Sequence, residues 1–431
     1  MVKFRSNFIP WILIALIVIG AGVLVTLRIK QNKSASAAAQ TKNTYLAFTD
    51  EVYDTIQKNY WDNISDQQLT KLYQDASDKL LGKHVNLPSP DKAGLEVMMI
   101  QAMNGLTIQQ KDLYASLLSA NVLNNLAPVG RSALYTQASQ QALMYEINNI
   151  NPTQNLYADL GVSNNATEEQ VQQSYQKQAA ALSKQNTPAA KEKLAKINNA
   201  YATLAKPQSK QLYDAQGIQA TIVSKQLSPE IFYMHFIRFS PTTSIKEFTD
   251  TVNAAGGQSD SLIFDLRGNI GGYLDLIPQM LGFFVGQNQV AYQFLQQDQY
   301  QSFMTSSDKL PGLSRFKNIV ILIDGRDQSS TELLAGALQK FKVGILVGAK
   351  TYGWGTVENE QPFPIADQFD FNQVYSVHLV TALTVVQGQQ PIQDNGVLPD
   401  IDVGGKTWPA KLTAAIGDPQ ITQTVKTLIS Q

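Results

Sequence analysis

Apolar positions change their spacing several times along the chain, and each change marks an element. Phe8 to Leu27 is a run of twenty uncharged, mostly apolar residues. That length crosses a bilayer core and exceeds the apolar stretch of a cleaved leader, so it predicts an uncleaved transmembrane helix behind a tail of residues 1–7. Lys3 and Arg5 precede the run and Arg28, Lys30 and Lys33 follow it, so charge sets no orientation. Residues 28–42 are small and polar, a linker. Over residues 43–150 the spacing is helical. Phe48, Val52, Ile56 and Tyr60 form one stripe, and Leu69–Leu81, Leu95–Met103, Lys111–Leu126 and Ala133–Ile147 continue it. This stretch is expected to be an all-α N-terminal region.

From residue 218 to 431 the runs shorten, and the expected fold is α/β with mixed strands. TIVSKQLSPEIFYMHFIRFS reads as two strands, and TTSIKEFTDTVNAAGG as a helix closed by Gly256 and Gly257. Ser261 to Leu266 is a buried type of strand, followed by RGNIGG. Asn318 to Gly355 reads strand, polar turn, amphipathic helix, strand and glycine-punctuated loop. A helix, DPQITQTVKTLI, ends the chain.

Composition narrows the chemistry. The 431 residues allow several domains, and the net charge of −1 offers no basic surface to nucleic acid. There is no Cys, which excludes disulfides, thiolate nucleophiles and zinc ribbons. His84, His235 and His378 are too scattered to suggest a metal site, and no cofactor is implied. Ser329, Ser330 and Thr331 stand at a helix start, where unpaired N–H groups favour an oxygen nucleophile or an oxyanion. The same letters, with Glu332, also fit a capping box. Gly271 and Gly272 after a strand allow close approach to a ligand, or simply a tight turn.

QSSTE and VGAKTYGWG resemble the core of the C-terminal processing peptidases, also called tail-specific proteases. Their pattern is an apolar strand, a small-residue run of the type SASASE opening a helix, then VGxxTxGKG. DLRGNIGG resembles their DLRxNPGG, Gly396, Pro399 and Asp400 match their GxxPD, and FTDEVYDTIQKNYWD and LAPVGRSALYTQAS resemble N-terminal segments. The resemblance implies a crotonase-like core, Ser329 as nucleophile, and an oxyanion hole from Gly271 or Gly272 with Ser330. It also puts Trp354 at the general-base lysine and Glu358 at a family glutamine. A serine hydroxyl needs a neighbour to take its proton, and an indole accepts none. Losing one member of a hydrolytic triad costs on the order of 10⁴ to 10⁶ in rate.

The expected protein is therefore a membrane-anchored, single-pass peptidase frame with impaired catalysis. It would be a scaffold or adaptor holding a peptide or an unfolded C-terminus by strand addition. The alternative is an active serine endopeptidase with a relocated base. Lys350, four residues before the lost lysine, leads that reading, with Glu358, His235 and His378 behind it. Family precedent places the bulk outside the cytoplasmic membrane and gives the N-terminal helices a part in self-association.

Residues 153–217 stand where that family commonly carries a PDZ domain, and they resemble a J-domain. NLYADLGVSNNATEEQVQQSYQKQ matches its opening and KINNAYATLAKPQSKQLYDAQG its close. Ser183, Lys184 and Gln185 occupy its His-Pro-Asp position. Stimulation of a heat-shock ATPase is therefore not expected, and the module reads as a spacer or docking surface.

Overall fold

The structure, a computed structural model, describes residues 44–185, 187–362 and 374–430. The expected tail, transmembrane helix and linker of residues 1–42 lie outside the described residues. Among the described residues, no helix is long and apolar enough to cross a membrane.

Four helices come first: α1 (Thr44–Asn59), α2 (Asp66–Leu81), α3 (Lys92–Ala102) and α4 (Ile108–Asn125). A strand, β1 (Ala133–Thr136), and helix α5 (Gln137–Ile147) follow. The strand corrects the all-α expectation for this region. Ala133 to Thr136 pair antiparallel with Tyr375 to His378, and that distant partner outweighs the local helical spacing. The stripe of Phe48, Val52 and Ile56 packs with Leu69, Leu95 and Leu118, and also with Val377 and Leu379 of the same partner strand. The N-terminal helices are thus bound to the sheet they precede.

The next unit is α6 (Leu156–Leu160), α7 (Glu168–Leu182), α8 (Pro188–Leu204) and α9 (Pro207–Gln216). It has its own core of Leu156, Leu160, Val171, Ile197 and Leu204, and Tyr175 of α7 stacks on Tyr201 of α8 at 4.1 Å. Its ends meet. Ile150 bridges Ile218, and the Gln219 N–H donates to the Asn149 carbonyl at 3.1 Å. The Ala220 N–H donates to Thr203 Oγ1 at 2.9 Å.

The remaining elements are β2 (Ile222–Gln226), β3 (Ile231–Phe236), α10 (Ser244–Ala254), β4 (Ser261–Asp265), α11 (Ile277–Val285), β5 (Val290–Gln296), β6 (Gln299–Met304), β7 (Asn318–Ile323), α12 (Ser330–Lys340), β8 (Ile345–Gly348), β9 (Thr356–Pro362), β10 (Tyr375–Val385), β11 (Ile401–Asp402), α13 (Trp408–Ile416) and α14 (Pro419–Ile429). They build two sheets. One has the order β11-β8-β7-β4-β3-β2, parallel except for β2. Its middle strands read SLIFD and NIVILI because both faces are covered. Phe264 and Ile321 face Phe248, Leu281 and Leu333 of α10, α11 and α12. Ile263 and Val320 face Trp408, Leu412 and Val425 of α13 and α14. The other sheet is antiparallel, in the order β1-β10-β5-β6, with β9 also on β10. Loops at the carboxyl ends of β4, β7 and β8 converge, where ligands gather in open α/β sheets.

Candidate active site

The loop after β4 is organised by Asn269, which is fully buried. Its side chain donates to the Phe236 carbonyl at 2.9 Å and accepts the Gly271 N–H at 2.9 Å. Its own carbonyl accepts the Gln328 N–H at 3.1 Å, joining this loop to the turn after β7. Asp327 makes a second join, accepting the Gly268 N–H at 2.7 Å and the Asp324 N–H at 2.9 Å. Burial, and then the neighbouring Asp324, push the Asp327 carboxyl up to about 9.

Gly271 lies directly on Ser329. A Cβ at Gly271, whose φ is +91°, would stand 2.9 Å from Ser329 Cβ and 3.1 Å from the Ser330 nitrogen. Gly272, at φ +137°, leaves no room for a side chain against the Phe239 carbonyl, 2.4 Å away. Ser330 Oγ donates to the Gly272 carbonyl at 2.9 Å. The Gly271 N–H is spent on Asn269, so Gly271 does not serve as the expected oxyanion donor.

Ser329 has φ 55° and ψ −124°. An ordinary N-cap is extended, and a non-glycine residue held in this region costs about 1–3 kcal/mol. The surroundings impose it. The Ser329 N–H is shared between the Trp354 carbonyl at 3.1 Å and Glu332 Oε2 at 3.0 Å. Glu332 also accepts Thr351 Oγ1–H at 2.5 Å, the Gly353 N–H at 2.7 Å and the Trp354 N–H at 2.7 Å. Burial pushes this carboxyl up, against the pull of its donors. Glu332 therefore does more than cap its own helix: it fastens the loop after β8 to the turn that carries Ser329.

At the position where the resemblance expects the lysine, Trp354 Nε1 donates to Glu358 Oε1 at 3.0 Å, and Thr356 Oγ1 donates to the same oxygen at 2.5 Å. Over the indole face lies Arg131, its guanidinium carbon 3.3 Å from the ring centre and 5.9 Å from that of Tyr352. Burial lowers Arg131 and raises Glu358, and the attraction between the two opposes both shifts. Sequence reading singled out the LAPVGRSALYTQAS segment that carries Arg131 but not the residue. Asp327 was missed too, although the two acids of DGRD, packed so closely in sequence, were a signal.

Of the alternative bases, Glu358 is the acceptor of the indole N–H. Lys350 is exposed, with its Cε against Gly396, 3.2 Å from where a Cβ would stand. His235 Nε2 sits 3.1 Å from the Arg267 carbonyl on β3. His378 pairs with Glu360 across β10 and β9, whereas Thr356 pairs with Leu383. Five residues of strand, about 17 Å, separate those rows. His378 stacks on Tyr135 at 4.4 Å, and burial lowers it to about 4. Among the described residues, no group of three acidic or histidine side chains could hold a metal ion.

Residues 230–403 match the profile of peptidase family S41, and residues 155–214 match that of the DnaJ domain. A carboxy-terminal-processing protease of Bartonella bacilliformis is 26% identical over 192 residues, 43% of this chain and 42% of its own. Over its peptidase-like segment the chain is similar to the C-terminal processing peptidases. A carboxyl-terminal-processing protease of Synechocystis is 23% identical over 193 residues, covering 44% of this chain and 42% of that protein. A probable CtpA-like serine protease of Staphylococcus haemolyticus is 29% identical over 114 residues, covering 26% of this chain and 23% of its own. The matches thus span less than half the length of these relatives. The solved photosystem II D1 C-terminal processing protease aligns over 84% of this chain and 94% of its own, at 12% identity and a TM-score of 0.46. A J-domain-like module thus precedes the peptidase-like segment.

Proposed function

We propose that this chain is a catalytically impaired C-terminal processing peptidase that holds extended polypeptide rather than cutting it. The observation that carries the reading is the state of the base position. Its side chain is an indole that donates to Glu358 and is covered by Arg131, and an indole accepts no proton. Ser329 keeps the nucleophile position, with Ser330 and Gly272 as the remaining oxyanion donors. In this reading residues 8–27 anchor the chain in the cell membrane as a single span, with the bulk outside the cytoplasm. The N-terminal helices (43–150), the J-like module (153–217) and the peptidase core (218–431) follow. The J-like module, with Ser183, Lys184 and Gln185 in place of His-Pro-Asp, serves as a spacer.

The test is peptide cleavage by the full chain in detergent beside four variants. Trp354→Lys alone is expected to stay silent, because Glu358 would hold the new lysine charged. Trp354→Lys with Glu358→Gln removes that carboxylate and is expected to cleave, and adding Ser329→Ala is expected to abolish the gain. Turnover by the parent that disappears in Lys350→Ala would sink the proposal in favour of a relocated base.

A further inference from the structure

Among the described residues, strand β6 is a free edge of the antiparallel sheet, pairing with β5 and no other strand. It returns from β5 through Gln297 and Asp298, at φ 46° and 62°. Positive φ at both positions of a two-residue loop is a type I′ turn. The register follows: Gln296 and Gln299 exchange hydrogen bonds, and so do Phe294 with Gln301 and Tyr292 with Phe303. Tyr300 and Ser302 lie in the alternate pairs, so their N–H and C=O groups point away from β5, along the open edge.

Edges of this kind are normally blunted by charge, proline or shortness. The other edges here are blunted. β9 carries Glu358 and Glu360, β2 carries Lys225, β11 has two residues and β1 has four. β6 reads QYQSFM, six residues without charge or proline. Two of its apolar side chains, Tyr300 and Met304, are 58% and 45% exposed. Alternation puts them with Ser302 on one face, whereas Phe303 turns the other way to stack on Tyr292 at 4.7 Å.

We propose that β6 is a docking edge for an extended, uncharged segment of another polypeptide, which adds as a further strand with apolar side chains over Tyr300 and Met304. The proposal takes its ligand class from the peptide-holding reading above, but it names a different place. Thr356, Leu383, Leu295 and Tyr300 form one row across four strands. At about 4.8 Å per strand, Tyr300 stands about 14 Å from the start of β9. A segment added there is held beside the Trp354 loop rather than threaded past Ser329.

The test uses the full chain in detergent and a fluorescein-labelled octapeptide of alternating Thr and Val, read by anisotropy. The parent is expected to bind it. Ser302→Pro deletes one outward N–H, a change tolerated on an edge; Tyr300→Lys adds a blocking charge. Each is expected to weaken binding at least tenfold with the circular dichroism spectrum unchanged. The same peptide methylated on alternate amide nitrogens is expected not to bind. Equal binding by the parent and both variants would overturn the edge while leaving peptide holding intact at another place. No binding by the parent would overturn both. Sedimentation that shows a parent dimer, resistant to the peptide and dispersed by Ser302→Pro, would overturn the proposed occupant in favour of a second copy.

Discussion

Replacing Glu332 by Gln should release the Trp354 loop from the turn that carries Ser329. The two carboxylate oxygens divide their donors: Oε2 takes the Ser329 and Trp354 N–H groups, and Oε1 takes the Gly353 N–H and the Thr351 hydroxyl. An amide has only one acceptor oxygen. Its better orientation keeps that oxygen on Ser329 and Trp354 and turns the NH2 towards Thr351 and Gly353. The hydroxyl can rotate and accept, but the Gly353 N–H cannot. One buried backbone donor is then orphaned, at about 1–3 kcal/mol, and the surviving bonds lose their charge assistance. Relief of carboxylate burial offsets part of this, leaving a local loss of about 2–4 kcal/mol. Hydrogen exchange reads it directly: amides 329, 353 and 354 should exchange roughly 30- to 1000-fold faster in Glu332→Gln, by the tenfold-per-1.4 kcal/mol relation. Those of β4 and β7 should be unchanged. Unaltered protection at 353 and 354 would show that Glu332 is only a helix cap.

Asp327 titrates at about 9 in the folded chain against 3.8 without its surroundings. Between these values the folded state keeps a proton the unfolded state has lost, so stability falls as pH rises, by about 1.4 kcal/mol per pH unit. Urea midpoints of the parent and Asp327→Asn between pH 6.5 and 8 should differ in slope by that one proton; parallel slopes would refute it. Ser329→Gly should stabilise the core relative to the parent by about 1 kcal/mol, read as a higher urea midpoint, because it relieves a strained φ. An ordinary N-cap would instead lose a few tenths. Replacing residues 152–216 by a short Gly-Ser turn should leave the exchange protection of β4 and β7 intact, because Ile150 and Ile218 already lie side by side. Loss of that protection would mean the insert is structurally required.

What the sequence showed depended on how local each cause was. β4 and β7 were readable because a parallel strand covered on both faces needs a continuous apolar run, and SLIFD and NIVILI are such runs. The helix after Ser329 was readable from its cap, and the J-like insert from letters spread over its own small core. β1 was not readable. Ala133 to Thr136 extend because β10, more than two hundred residues later, offers them an edge, and no spacing within the segment records that. Arg131 over Trp354 is the same case: a contact between residues far apart in the chain, joined only when the N-terminal helices settle on β10.

The conformation of Ser329 is the sharpest instance, because the residue that adopts it does not encode it. Serine has no preference for φ 55°. The letter that makes room is Gly271, the letters that hold the N–H are Glu332 and the carbonyl of Trp354, and they come from two separate loops and the first turn of α12. None of these contacts involves the indole. In the proposed reading, a tryptophan where the family carries lysine removes the proton acceptor without touching what strains the serine, and a nucleophile's geometry can outlast its chemistry. If so, the strain has no catalytic return in the present chain, and the gain in Ser329→Gly stability should come with no loss of peptide binding. A drop in binding in that variant would mean the strained turn still contacts what the protein holds.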